Sequence, residues 1–255
     1  MIIGIIPARF ASSRLMGKPL AKIGNKPMIQ HTYESAKKSK LLHDVIIAVD
    51  DQKVYDTISQ FGGNVKMTPT DIKTGSDRIA HVADTIKGAE IIVNIQGDEP
   101  FIPGRMIDQA IEPLLFDKSV DVATLAKKIT TVEELKNPST VKVVFDYNNN
   151  ALYFSRSPIP YVRSARTNLE KIQQADIYKH IGLYVYRKDA LMKFTSNEPT
   201  DLEMTEKLEQ LRMLENGTKI KVVTTEYESI SVDTPEDLDL ARKYYYKFVK
   251  PKEGK

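Results

Sequence analysis

Three cations, Arg9, Arg14 and Lys18, stand close together near the start of the chain, with small residues at Ala8, Ala11, Ser12, Ser13 and Gly17 between them. Small side chains let backbone N–H groups approach an anion, and guanidinium groups take its oxygens in pairs, so this loop suits a polyphosphate. A solvated basic loop is the competing explanation of the charge. Far along the chain an acidic pair, Asp98 and Glu99, lies in the string Gln96-Gly97-Asp98-Glu99-Pro100. A plain turn accounts for the glycine and the proline. It does not account for a carboxylate directed at a cationic loop, whereas Mg²⁺ does: that ion takes one or two carboxylates and fills its octahedron with substrate phosphates and water. A third carboxylate, Asp233, precedes Thr234-Pro235-Glu236-Asp237. Thr234 as N-cap, Pro235 at the first helical position and Asp237 at the third explain a helix start and leave Asp233 over.

The elements that must hold these groups read as alternating strands and helices. Ile2, Ile3, Ile5 and Ile6 form a nearly continuous apolar run, the mark of a strand buried on both faces, and Pro7 ends it just before the cationic loop. Asn25 is expected to cap a helix with Pro27 in its first turn and Met28, Ile29, Tyr33 and Ala36 on its buried side. A strand over 44–49, a helix over 52–61 closing at Gly62-Gly63, and a central strand over 90–95 follow. Such alternation predicts parallel pairing with right-handed crossovers, and open sheets of this kind bind ligands at the carboxyl ends of their strands. Both the cationic loop and the Asp98 turn fall at such ends. Ser76 is expected to cap a helix that carries Ile79, Val82 and Ala83 inward.

From Asp121 to Arg187 the pattern changes to β-rich runs at 121–126, 141–145, 151–155 and 178–186, with Tyr147 to Asn150 as a hairpin turn. The polar stretch 163–175 reads as a mobile loop. One helix is expected over 201–215 with Leu202, Leu208, Leu211 and Leu214 as its core stripe, ended by Gly217 before a strand over 219–224. The basic end of the chain, beyond Tyr246, is expected to fray.

Composition narrows the classes. A chain of 255 residues has enough length for one large α/β domain, and its 41% hydrophobic and 28% charged content is ordinary for a globular protein. A net charge of +3 gives no broad field for nucleic acid. With no cysteine, disulfides and thiolate chemistry are out. The opening apolar run is too short to span a membrane and lacks the flanks of a signal peptide, so a cytoplasmic protein is expected. Neither the P-loop motif nor the GxGxxG fingerprint occurs.

The string Pro7-Ala8-Arg9, continued by Ser12-Ser13-Arg14-Leu15 and Gly17-Lys18-Pro19-Leu20, resembles the nucleotide-binding loop of the sugar nucleotidyltransferases, specifically of the 3-deoxy-manno-octulosonate (Kdo) cytidylyltransferase family. The resemblance returns in Gly75-Ser76-Asp77-Arg78, in Gln96 to Pro100, in Phe154 to Pro160, in Lys179 to Tyr184, in Leu208 to Arg212 and in Val232 to Asp237, and it covers about residues 1–243. It implies an α/β fold with a Rossmann-like, mostly parallel mixed sheet of the nucleotide-diphospho-sugar transferase type. It implies one domain over 1–248 with residues 121–187 as an inserted antiparallel layer for sugar binding and dimerisation, and a frayed tail over 249–255.

For the site, the resemblance implies that Arg9, Ser13, Arg14, Lys18, Arg78 and Gln96 hold CTP. The sugar falls to Gln96, Arg156, His180, Tyr184, Glu209 and Gln210. Asp98 and Asp233 are implied ligands of Mg²⁺, and with Lys18 they make up the catalytic set. Taken singly, Arg156 is as well explained as a surface cation and His180 as a structural histidine; the motifs around them carry the assignment. The activity implied is joining CTP to a 3-deoxy-2-ulosonic acid to give the CMP-sugar and pyrophosphate, for lipopolysaccharide synthesis in a homodimer. The alternatives are a cytidylyltransferase for 8-amino-Kdo or a nonulosonic acid, and a catalytically silent nucleotide-binding protein of the same fold. A silent binder has use for the basic loop but not for two metal carboxylates.

Overall fold

In the computed structural model, which describes residues 1–10 and 15–252, the chain falls into two compact units, residues 1–108 with 228–255 and residues 109–227. The first unit is built on β1 (Ile2–Ala8), whose isoleucines are buried on both faces as their unbroken apolar run requires. Pro7 does not end the strand as expected: it and Ala8 stay in parallel register with Ala48 and Val49, and the strand stops one residue later. A tight ribbon, β2 (Lys22–Ile23) and β3 (Lys26–Pro27), leads into α1 (Met28–Ala36). Asn25 therefore lies in the ribbon's turn beside left-handed Gly24, and Pro27 is the N-cap. The expected Asn25 cap is lost because the two-residue strands pair first. Next come β4 (Asp44–Val49), α2 (Gln52–Gln60), β5 (Val65–Met67), α3 (Gly75–Asp84), β6 (Ile91–Asn94) and α4 (Gly104–Phe116).

The parallel sheet of this unit runs in the order β6-β1-β4-β5. Asp51 caps α2 by accepting from the N–H groups of Lys53 and Val54. α3 starts one residue before Ser76, with Thr74 accepting from Asp77 N–H at 3.0 Å. A threonine three residues ahead of that amide reaches it from an extended backbone, and Ser76 is already inside the helix.

The second unit holds β7 (Val122–Lys128), α5 (Val132–Lys136), β8 (Lys142–Phe145), β9 (Ala151–Ser155), α6 (Asn168–Gln174), β10 (Tyr178–Arg187), α7 (Lys188–Ser196), α8 (Asp201–Glu206), α9 (Gln210–Glu215) and β11 (Ile220–Thr224). β11 pairs with β7 in parallel, while β7–β10, β10–β8 and β8–β9 are antiparallel, so the β-rich middle of the chain is the antiparallel layer expected. Asn149, with φ of 58°, turns the β8–β9 hairpin.

Two expectations here are corrected. Residues 168–174 of the polar stretch form α6, because Thr167 accepts from Glu170 N–H at 3.1 Å and the Glu170 carboxylate in turn accepts from Arg166 N–H. The single helix over 201–215 is two helices, broken at Lys207, which takes a left-handed backbone with φ of 54°. Leu202 is exposed in consequence, while Leu208 and Leu211 remain buried.

The chain returns to the first unit as α10 (Pro235–Tyr244), with the expected box of Thr234 and Asp237. Val232, Leu238, Ala241 and Tyr245 pack with Ile23 and Met28 in one cluster, with Leu15 and Val249 against it. Residues 245–252, expected to fray from Tyr246 on, continue in helical turns, with Tyr245 and Val249 against apolar partners; residues 253–255 lie outside the described residues. Among the described residues no helix is long and apolar enough to cross a membrane.

Candidate active site

The carboxyl ends of β1 and β6 lie side by side, and the loops leaving them carry the first chemical groups. At Gly97 a Cβ would stand 2.7 Å from the carbonyl oxygen of Pro7, so the Gln96-to-Pro100 turn presses against the end of β1 as only glycine allows. Gly17, left-handed with φ of 67°, turns the chain into a short 3₁₀ segment at Lys18–Leu20. Lys18 is carried on that segment over the Asp98 turn. The 228–233 segment is joined to the same turn by a bond from Val232 N–H to the carbonyl of Asp98 at 2.9 Å.

The result is a single cluster. Lys18 Nζ donates to Asp98 Oδ2 at 2.7 Å and to Asp233 Oδ1 at 2.9 Å, with the lysine largely buried. Residues from three distant stretches, which the sequence nominated separately, meet at one ammonium. Two carboxylates sharing one cation are the donor set expected of a magnesium site, with the lysine ammonium standing where positive charge is wanted. Among the described residues no group of three or more His, Cys, Asp or Glu side chains is placed to hold a metal ion. Glu99, beside Asp98, is buried. Burial, then the neighbouring Asp98 charge, push its carboxyl up to about 8, against the opposing hydrogen bond from Ser229.

The other nucleotide-side candidates sit around β1 and β4. Arg9 donates to the carbonyl of Lys73. Arg78 is fully buried. Its guanidinium donates to Asp50 Oδ2 at 3.0 Å, to the Thr68 hydroxyl and to the carbonyls of Pro69 and Ile72. Burial lowers its pKa and Asp50 works against that. Asp50 also accepts from Phe10 N–H at 3.2 Å, so one carboxylate links the start of the cationic loop to Arg78 and, through it, to residues 68–72. Sequence reasoning passed over Asp50, although its place just after β4 obeys the same strand-end rule that picked out Asp98. Gln96 Nε2 lies 3.4 Å from Asn94 Oδ1. Ser13 and Arg14 lie outside the described residues.

The sugar-side candidates other than Gln96 belong to the second unit. His180 is half-buried on β10, edge-on to Phe154 and tilted against Tyr184. Its Nε2 is 2.9 Å from the hydroxyl of Thr124, whose one proton goes to a carbonyl, Leu183 at 2.9 Å or Ile181 at 3.2 Å. Nε2 therefore carries the ring proton and donates to Thr124. Burial pushes the imidazole down to about 3, so it is neutral near pH 7. The hydroxyl of Tyr184 is buried near Thr124 without a well-formed hydrogen bond among the described residues, the kind of orphan a bound hydroxyl or carboxylate can satisfy.

Arg156, just past β9, donates from Nε to the carbonyl of Glu206 at 2.7 Å, from Nη1 to Pro138 at 3.0 Å and from Nη2 to Lys207 at 3.2 Å. Gln210 opens α9 and is buried, with Glu209 as the residue before it. Glu206 was not foreseen, since nothing in a lone glutamate on an expected helix marks it.

A parallel sheet with cationic and carboxylate groups gathered at its strand ends is the arrangement in which open α/β sheets bind nucleotides and other ligands. Residues 3–220 match the family described as Cytidylyltransferase. The 3-deoxy-manno-octulosonate cytidylyltransferase of Pelobacter propionicus is 53% identical over 248 residues, covering 96% of this chain and 97% of its own; that of Geobacter sulfurreducens is 52% identical over 242 residues, covering 93% and 96%. A solved structure of CMP:2-keto-3-deoxy-manno-octonic acid synthetase complexed with CTP superposes with a TM-score of 0.90 at 39% identity, covering 96% of this chain and 98% of that one. The chain belongs to the 3-deoxy-manno-octulosonate cytidylyltransferase family.

Proposed function

We propose that the chain activates 3-deoxy-manno-octulosonate with CTP, giving CMP-sugar and pyrophosphate, and that it works as a cytoplasmic homodimer supplying lipopolysaccharide synthesis. The observation that carries the enzymatic reading is the Lys18 ammonium held between Asp98 and Asp233. A silent nucleotide binder of the same fold has no use for that arrangement.

In this reading the anomeric hydroxyl attacks the α-phosphorus in line. One P–O bond forms to the sugar, the bond to the bridging oxygen breaks, pyrophosphate leaves, and the hydroxyl proton passes to solvent. Such a transfer needs positioning and charge neutralisation more than covalent help from the protein. Arg9, Arg14 and Lys18 bind the triphosphate, with Ser13 and Gln96 beside it. Arg78 acts by anchoring residues 68–72 next to the base, since its guanidinium is wholly buried. Asp98 and Asp233 would hold Mg²⁺, which when bound would screen phosphate charge and acidify the attacking hydroxyl. Arg156, Tyr184, Glu209 and Gln210 hold the acid sugar. His180, neutral and donating to Thr124, shapes that side and is no general acid at neutral pH.

The deciding assay is pyrophosphate release from CTP with a panel of 2-ulosonic acids, with UTP and ATP as controls. Turnover with CTP and 3-deoxy-manno-octulosonate, and much less with UTP or ATP, is expected. Preference for the 8-amino sugar or a nonulosonic acid moves the substrate, and CTP binding without turnover of any of them leaves the silent binder.

A further inference from the structure

The break between α8 and α9 is held by more contacts than a helix interruption requires. Lys207 is a non-glycine residue in the left-handed region, with φ of 54° and ψ of 50°, a conformation that L-residues avoid unless their surroundings impose it. The surroundings here are those of Glu206. Its carboxylate accepts from the hydroxyl of Ser155 at 2.6 Å through one oxygen and from the backbone N–H of Arg156 at 3.0 Å through the other, tying the end of α8 to the end of β9. The Arg156 guanidinium wraps back around the break, taking the carbonyls of Glu206 and Lys207. On the far side of the break Glu203 of α8 pairs with Arg212 of α9, Nε to Oε2 at 2.7 Å, both buried. α9 is therefore fixed in direction from both ends of the kink. Its first residues are Glu209, its N-cap, and Gln210, which is buried.

We propose that Glu206 is a positioning residue for the acid sugar: through one carboxylate it orients Arg156, and through the Lys207 kink it sets Glu209 and Gln210. This rests on the reading that Arg156, Glu209 and Gln210 meet the sugar. The Ser155 hydroxyl, the Arg156 N–H and the Tyr153 hydroxyl all donate to this one carboxylate. An amide in its place keeps size and shape but loses the charge and half of the acceptor capacity, so at least one of these partners must turn its hydroxyl or lose its bond.

The experiment is steady-state kinetics with CTP and 3-deoxy-manno-octulosonate on Glu206→Gln, Lys207→Gly and Lys207→Val, each also followed by thermal melting. Glu206→Gln is expected to raise the sugar KM about tenfold or more, as loss of one charge-assisted hydrogen bond does, with the CTP KM and kcat little changed. Lys207→Gly, at ease in the left-handed region, is expected to keep the wild-type sugar KM. Lys207→Val, which resists it, should raise that KM as Glu206→Gln does. An unchanged sugar KM in Glu206→Gln, or kcat and both KM values shifting together with the melting temperature, overturns the proposal. If Glu206→Gln does not fold, the two Lys207 variants decide, and equal sugar KM values for them overturn it. Gln210→Ala run alongside separates the two levels: no effect on the sugar KM removes the sugar-side reading and this inference with it. A raised KM in Gln210→Ala beside a normal one in Glu206→Gln overturns this inference alone.

Discussion

The backbone N–H of Val232 donates to the carbonyl of Asp98 at 2.9 Å, and this bond brings the residue after Val232, Asp233, to the turn that already holds the other carboxylate. Both then share the ammonium of Lys18. The two aspartates meet at one ammonium, so a change at either is felt at the same place.

Lys18→Met keeps the length of the side chain and removes its charge. Turnover is expected to fall about 10²–10³-fold, the usual cost of one preorganised charge at a reacting phosphate. Divalent-ion binding without nucleotide should move the other way, since the ammonium no longer competes for Asp98 and Asp233. Mn²⁺ titration by electron paramagnetic resonance reads the second effect, and affinity that falls along with turnover contradicts the arrangement.

Asp98→Asn and Asp233→Asn each remove one charge from the shared centre. Each should abolish most magnesium-dependent turnover with a normal melting profile, and the double variant should lose little beyond the worse single one. Losses that multiply, with ordinary saturation by Mg²⁺, return Asp233 to a role at the start of α10.

Gly97→Ala tests the close approach of the Asp98 turn to β1. A methyl 2.7 Å from the Pro7 carbonyl forces the turn outward, and a cost of about 1–3 kcal/mol is expected from such overpacking. Chemical denaturation measures it. Wild-type stability in this variant means that the turn has room to move.

His180 gives a pH dependence of known sign. Its folded pKa of about 3 lies below the ordinary 6.5, so between these values the unfolded chain holds the extra proton. The stability it contributes is present above pH 6.5 and is lost as pH falls towards 3. Within that window wild-type stability should drop with acid more steeply than that of His180→Gln, by up to about 1.4 kcal/mol per pH unit. Parallel curves for the two proteins rule out a neutral imidazole.

What the amino-acid order determined by itself is what local physics controls. β1, β4, β9 and the Thr234 start of α10 are legible because apolar runs and capping side chains act on neighbours a few residues away. The members of the candidate site could also be nominated, as charges at strand ends and as strings shared with a family. Tertiary structure decided how they are used. Nothing near Lys18 in sequence says that its partners are Asp98 and Asp233, because their meeting depends on Gly97 pressing on β1 and on α10 packing over β2. The resemblance set Arg78 among the CTP-binding residues, whereas its guanidinium is buried against Asp50, a pairing made where α3 packs beside the end of β4. The break at Lys207 opposes a good helical stripe, and only long-range bonds from β9 outweigh that local preference.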